Sequence, residues 1–190
     1  SLVGSEMCIR DRINPKYTLA YYDKGIVKHY MKDYEGAIVE FNRAIQLNPT
    51  FVEAYNYRGK VKADIDDYSA ALIDYQQAIA LDANYRIAYN NRGLLYAEQK
   101  NYEEAIKNYD KAIALSPQYK SAYNNRGLAH SSIKKFTLAI KDFDQVIAID
   151  PYYKLAFNNR GIAKVAIGNY RGAIADFSQA IQLDDTYLSA

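Results

Sequence analysis

Small and aromatic residues recur along this chain at a fixed interval of 34 residues. The clearest marker is a glycine, and an alanine follows each glycine twelve residues later. The glycines stand at positions 25, 59, 93, 127 and 161, and the alanines at positions 37, 71, 105, 139 and 173. A fixed period of about 20 to 50 residues indicates an array of structural repeats, so each residue is interpreted by its position within the repeat.

Each period predicts two helices joined by a short turn. In the fourth period Tyr123 and Gly127 share one face of a first helix over about residues 121–133. Phe143 lies on the apolar stripe of a second helix over about residues 137–149. One helix pair cannot bury both of its faces, so we expect stability to come from stacking.

The second helices are predicted to end at turns. Proline follows the turn residue at Asn48-Pro49, Ser116-Pro117 and Asp150-Pro151, and the residue before proline is disfavoured in a helix. The corresponding turns at Asp82-Ala83 and Asp184-Asp185 lack the proline and rest on weaker signals.

The array occupies residues 13–190 and contains five full repeats, whose positions we number 1 to 34. Residues 1–12 match no phase of the repeat, and we interpret them as an extraneous or disordered leader. Neither end shows a polar cap, so we expect a fragment of a longer protein. The full repeats are 18–51, 52–85, 86–119, 120–153 and 154–187, and residues 188–190 would begin another.

Composition argues against several classes of partner. The net charge of +2 arises from 24 basic and 22 acidic residues spread along the chain, which predicts neither nucleic-acid nor membrane binding. No apolar run approaches the roughly 20 residues of a membrane span. The single cysteine, Cys8, allows no internal disulfide and fits a reducing, cytoplasmic location.

Catalytic and metal-binding motifs are not apparent. The glycines are isolated, and no nucleophile, base and orienting residue form a recognisable set. We expect His130 to be packed in the core and His29 to be a solvated side chain. The sequence therefore predicts a protein that is not an enzyme and that holds no cofactor or metal.

The repeat-locked residues resemble the tetratricopeptide repeat from about residue 13 to the end. Positions 4, 17 and 24 are aromatic, position 8 is glycine, position 20 is alanine, position 27 is small, and proline fills position 32 in three of the five repeats. The resemblance implies an all-α fold, an α-solenoid in which antiparallel helix pairs form a right-handed superhelix. It also implies a non-catalytic protein–protein interaction scaffold that binds an extended peptide or partner helix in its concave groove.

Asparagines recur inside the first helices although asparagine is a mediocre helix former. They could form a ladder of amides that matches the main chain of an extended peptide, similar to the ladder in repeats attached to some protein-modifying glycosyltransferases. Alternatively, one asparagine of each pair bonds to the neighbouring repeat and holds the stack. The candidates are Asn91, Asn125 and Asn159 at position 6, and Asn56, Asn90, Asn124 and Asn158 at position 5.

Aliphatic residues at position 9 flank these amides. Leu94, Leu128 and Ile162 would supply an apolar strip beside the ladder, suited to an extended peptide with alternating apolar side chains. The alternative is that they pack between adjacent first helices.

Arginine at position 7 departs from the usual residue of the family. The arginines could form a basic ladder for an acidic partner, but an acidic or amide residue follows each of them sixteen positions later. We favour salt bridges between the two helices of one repeat, which help to fix helix register. The predicted pairs are Arg58 with Asp74, Arg126 with Asp142, and Arg160 with Asp176.

Two further possibilities concern the partner. The array could be the substrate-targeting arm of a larger enzyme, such as a glycosyltransferase or kinase, with catalysis outside this chain. The open ends of the array could also support end-to-end self-association. The sequence does not name the protein or peptide partner.

Overall fold

The computed structural model describes residues 15–188, with side chains described from residue 17 to residue 183. This part of the chain forms ten α-helices in five pairs and contains no strand. The predicted leader at residues 1–12 and the final residues 189–190 lie outside it. The helices are α1 Pro15–Tyr30, α2 Tyr34–Leu47, α3 Val52–Asp64, α4 Tyr68–Leu81, α5 Arg86–Glu98, α6 Tyr102–Leu115, α7 Lys120–Ser132, α8 Phe136–Ile149, α9 Lys154–Ala166 and α10 Tyr170–Leu188.

The chain divides into two compact units, one up to Asn91 and one from Arg92 onward. In the first unit α1 packs on α2, α2 on α3, and α3 on α4. In the second unit each helix from α6 to α9 likewise packs on the helix that follows it in the chain. Helix pairs that pack only on their neighbours in sequence are the defining feature of a solenoid, so the predicted all-α solenoid class is confirmed.

At the glycine of position 8 the two helices of a pair lie so close together that no side chain fits between them. A Cβ atom added to Gly127 would lie 2.7 Å from Cε1 of Phe143, and one added to Gly93 would lie 2.6 Å from Cε1 of Tyr109. Glycine costs about 1 kcal/mol in a helix interior relative to alanine. The ring of position 24 fills the space where a side chain would stand, which explains why glycine recurs there.

The same rings also join one repeat to the next. In the second unit Phe143 and Ala139 form a buried cluster with Ala163 of the following first helix. In the first unit Phe41 and Val61 form the equivalent cluster. Aromatic burial therefore couples the helices within a repeat and the repeats to each other.

The turn inside each repeat has a constant backbone conformation. Its position 15 is left-handed in all five repeats, with φ values between 60° and 78°. The residue that follows caps the second helix in four repeats, through the side chains of Asp33, Asp67, Asn101 and Asn169. Lys135 stands at this position in the fourth repeat and makes no capping hydrogen bond with its side chain.

The turns predicted without proline have different outcomes. Asp82 ends α4, and its Oδ1 accepts a hydrogen bond from the Asn84 backbone at 2.9 Å. The turn predicted at Asp184-Asp185 is wrong, because α10 continues to Leu188. The chain has no proline there to end the helix.

Candidate functional site: the amide face of the first helices

Positions 2, 5, 9 and 12 form one stripe of each first helix, with position 6 beside it. From the third repeat onward this stripe carries two asparagines together with aliphatic side chains. We call this stripe the amide face. Its position-5 residues differ in accessibility, since Asn56 and Asn90 are buried at 2% and 5% exposure. Asn124 is half-buried and Asn158 is exposed, so the position-5 amides are more accessible in the second unit than in the first.

Hydrogen bonds connect the amide faces of successive repeats. In the first unit Asn91 donates from Nδ2 to Oδ1 of Asn56 at 3.0 Å. In the second unit Asn159 donates in the same way to Asn124 at 3.3 Å. Each of these bonds uses one N–H of the position-6 amide, and the carbonyl oxygen of Asn91 also accepts from Nδ2 of Asn90 at 3.5 Å. A carboxamide has a second N–H, and its oxygen can accept more than one hydrogen bond. A position-6 asparagine can therefore hold the stack and still offer polar groups to a ligand.

The aliphatic residues at position 9 are exposed in the last three repeats, whereas Ile26 of the first repeat is half-buried against the core. Leu94 is 39% exposed, Leu128 43% and Ile162 55%, all in the second unit. Leu155 at position 2 is also 51% exposed. Side chains packed between helices would be shielded, so these residues form an accessible apolar strip beside the amides.

The position-7 arginines bind carboxylates of the second helix in their own repeat. Arg58 donates from Nε and Nη2 to Asp74 at 2.9 and 2.5 Å, and Arg160 does the same with Asp176 at 2.9 and 2.5 Å. Arg126 binds Asp142 through Nε and Nη2, the latter at 2.6 Å. The carboxylates are buried, so the fork geometry of arginine replaces the water they lose.

Arg92 of the third repeat meets an amide instead of a carboxylate. Its Nε donates to Oδ1 of Asn108 at 2.7 Å, and Asn108 donates from Nδ2 to the carbonyl of Glu104 at 2.8 Å. The amide oxygen of Asn108 accepts from the arginine as the carboxylates of the other repeats do, which explains why asparagine can replace aspartate at this position.

A second acceptor for these arginines lies in the preceding repeat, which the sequence analysis missed. Nη1 of Arg126 donates to Asp110 at 2.6 Å, and Nη1 of Arg160 donates to Asp144 at 2.6 Å. In the first unit Arg58 donates to Asn42 at 2.5 Å. The sequence does contain a pattern that could have predicted these contacts, because a residue able to accept a hydrogen bond stands at position 25 of each preceding repeat: Asn42, Gln76, Asp110 and Asp144. One guanidinium thus joins three helices and leaves little charge for an acidic partner.

Position 11 adds a second cation to the buried carboxylate. Lys62 lies 2.8 Å from Asp74, and Lys164 lies 2.8 Å from Asp176. Burial alone would raise the pKa of Asp176, but the hydrogen bonds from Arg160 and Lys164 outweigh it and lower that pKa below its ordinary value. The carboxylate is therefore stabilised in its charged form.

His130 occupies position 11 in the fourth repeat and is packed as expected, with 9% of its surface exposed. Its Nε2 lies 3.8 Å from Asp142, and its buried Nδ1 has no hydrogen-bond partner among the described residues. Burial lowers the pKa of His130, and Arg126 and Lys135 lower it further against the opposing effect of Asp142 and Asp110. The imidazole is therefore protonated less readily than a free histidine, at a position where the first, second and fifth repeats carry lysine.

The prediction that His29 is solvated is wrong. Its side chain is only 11% exposed, and Nε2 lies 2.6 Å from Oδ2 of Asp64 in the next first helix. The ring also lies close to the rings of Tyr30 and Tyr34. The two residues form a polar contact between repeats that spacing alone did not reveal.

No group of three or more potential metal ligands occurs among residues 15–188. In the same part of the chain, none of the helices combines the length and the apolar character that crossing a membrane requires.

Stacked helix pairs with an amide-bearing first-helix face define a helical repeat protein of the solenoid class. A family model described as tetratricopeptide repeat matches residues 87–119 and 121–153, and one described as TPR repeat matches residues 27–66. Together they cover more than half of the chain, which belongs to the tetratricopeptide repeat family.

Solved structures with the same fold include MamA, PilF and YrrB. MamA is 26% identical, with a TM-score of 0.78 over 87% of this chain and 97% of its own. PilF of Pseudomonas aeruginosa is 22% identical, with a TM-score of 0.82 over 88% of this chain and 76% of its own. YrrB, described as a TPR protein with an unusual peptide-binding site, is 18% identical, with a TM-score of 0.68 over 88% of this chain and 87% of its own. No curated protein sequence matches this chain significantly.

Proposed function

We propose that this chain is a non-catalytic interaction scaffold that binds an extended peptide along the amide face. The observation that carries the proposal is the strip of exposed aliphatic residues beside recurring amides, represented by Leu128 and Ile162 next to Asn159. Membership in a family of interaction repeats supports a protein partner in general. The YrrB structure supports the fold, and its peptide-binding site transfers no residue to this chain.

Amides suit an extended ligand because its main chain has open donors and acceptors. A carboxamide offers both, so it can bond a peptide group regardless of the ligand's side chains. A helical ligand satisfies its own main chain and gains little from such amides. The proposed ligand contacts in the second unit are Asn125 and Asn159 with Leu94, Leu128 and Ile162, and Asn158 is the most open amide of position 5. Asn91 is the corresponding candidate of the first unit.

Peptides selected from a displayed random library provide the test. One selected peptide is synthesised with a fluorophore, and its affinity is measured for the wild type and for the Asn91→Ala, Asn125→Ala, Asn159→Ala triple variant. We expect at least a tenfold loss of affinity and a moderate fall in melting temperature, because Asn91 and Asn159 also hydrogen-bond to the preceding repeat. Affinity is therefore measured at a temperature at which circular dichroism shows both proteins folded. Unchanged affinity of the folded variant would reject the amide face as the binding site.

In the alternative function, the array is the substrate-targeting arm of a larger enzyme. The amide face then binds the substrate protein in the same way, and a catalytic domain outside this chain modifies it. End-to-end self-association stays a separate prediction. Sizing at several concentrations tests it, and a monomer at high concentration would reject it.

A further inference from the structure

The amide face of the second unit differs from that of the first unit in charge. In α3 of the first unit it carries exposed Glu53 and Lys60. In α7 and α9 it carries only hydroxyl, amide and aliphatic side chains. The face of α7 consists of Ser121, Asn124, Asn125, Leu128 and Ser131, and that of α9 consists of Leu155, Asn158, Asn159, Ile162 and Val165.

The charged residues of α7 and α9 point away from this face or lie at the start of the helix. Arg126 and Arg160 are held by carboxylates of second helices, and Lys164 binds Asp176 at 2.8 Å. His130 lies against Asp142 on the same side. Lys120 and Lys154 are the first residues of their helices, and neither helix contains an acidic residue. The amide face of these two helices is therefore uncharged, and their arginine and lysine side chains form ion pairs elsewhere or stand at the helix start.

Resting on the proposed function, we infer that the second unit binds an uncharged, extended segment with an aliphatic side chain at every third residue. A charged side chain placed on this face would lose water without gaining an opposite charge, which is unfavourable. Leu128 is 43% exposed, Leu155 51%, Ile162 55% and Val165 43%. These aliphatic groups gain free energy only when apolar ligand groups cover them.

The spacing of the aliphatic residues specifies the conformation of the ligand. Leu155 and Ile162 are seven residues apart on α9, which corresponds to about 10 Å along the helix axis. Leu128 and Ile162 lie on helices that touch each other, and packed helices have axes about 8 to 10 Å apart. Residues i and i+3 of a polyproline-II segment are about 9 Å apart on one side. In a β-strand, side chains on the same side are residues i and i+2, which are about 7 Å apart, and this distance matches the spacing of the aliphatic residues less well.

Four acetylated and amidated twelve-residue peptides test the inference. The first repeats Leu-Ser-Gln four times, two replace Gln with Glu or Lys, and the last alternates Leu with Gln. We expect saturable binding of the first peptide and at least tenfold weaker binding of the other three. Equal or tighter binding of a charged peptide, or no measurable binding of the first, overturns the inference. A bound peptide that becomes helical by circular dichroism also overturns it.

A matched pair of variants locates the contact. Leu128→Lys reproduces the lysine that the second repeat carries at the same position, so the fold tolerates it. Leu138→Lys makes the same change at a residue of similar exposure, 41%, on second helix α8. We expect a tenfold loss of affinity for the Leu-Ser-Gln peptide with the first variant and no change with the second. Equal effects contradict the inference.

The two proposals can fail separately. If a charged peptide binds and its affinity still depends on Asn125 and Asn159, the amide face is a binding site and only the uncharged, three-residue pattern is wrong. If affinity for every peptide is independent of these asparagines, the proposed function itself is wrong.

Discussion

Nη1 of Arg126 lies 2.6 Å from the Asp110 carboxylate of the preceding repeat. Nη2 of the same guanidinium lies 2.6 Å from the buried Asp142, and its Cζ lies 5.4 Å from the centre of the Tyr123 ring. One side chain therefore ties a first helix to its own second helix and to the previous one. This arrangement links charge pairing within a repeat to stacking between repeats.

Replacement of Arg126 by methionine should leave Asp142 charged and buried without its main partner. Loss of one member of a buried ion pair costs about 3 to 5 kcal/mol. We expect a decrease of about 3 kcal/mol in the free energy of unfolding, measured by urea denaturation. Asp110→Asn serves as the control, since its carboxylate is 53% exposed and exposed pairs contribute about 1 kcal/mol or less. Equal effects of the two variants would contradict this account.

Alanine in place of Gly127 should destabilise the protein although alanine is the better helix former. The new Cβ would lie 2.7 Å from the Phe143 ring, and overpacking costs about 1 to 3 kcal/mol. Thermal unfolding of Gly127→Ala tests this, with Gly127→Ala combined with Phe143→Leu as the rescue. A rise in melting temperature for the single variant would show that the close approach is unimportant.

Asparagine in place of Lys135 should stabilise the fourth repeat. The other four repeats place Asp or Asn there, and each accepts a backbone hydrogen bond at the start of the second helix. Such a cap contributes about 1 kcal/mol. The reverse change, Asn101→Ala, should cost a similar amount in urea denaturation. No gain from Lys135→Asn would show that capping does not limit stability here.

His130 should make the second unit sensitive to mild acid. Its pKa is lower in the folded chain than the ordinary value of 6.5. The folded state therefore takes up the proton less readily than the unfolded state, and stability falls as the pH drops below about 6.5. Carboxylates with lowered pKa values, such as Asp176, lose their contribution only in more acidic solution.

His130→Lys is the matched variant, because lysine at this position binds the carboxylate in the second and fifth repeats. Urea midpoints at pH 7.5 and pH 5 should differ less in the variant than in the wild type. An equal loss of stability in both proteins would rule out His130 as the source of the acid sensitivity.

The period of the sequence was sufficient to predict the helix pairs, because Gly127 and Phe143 follow helical spacing and recur in register. Contacts between repeats were harder to predict. Arg126 reaches Asp110, and His29 reaches Asp64, only because stacking brings distant positions together. The rung between Asn159 and Asn124 depends on that geometry as well. The length of α10 was missed because the expected turn at Asp184-Asp185 lacks a helix-ending proline.

The most direct measurement of the central claim follows the side-chain amide signals of Asn125 and Asn159 by nuclear magnetic resonance during titration with a selected peptide. The account predicts saturable shifts of both signals together with the methyl signals of Leu128 and Ile162, while the Leu138 methyl signals stay unchanged. Saturable binding that shifts Leu138 and leaves the two asparagines and Leu128 unchanged would contradict it.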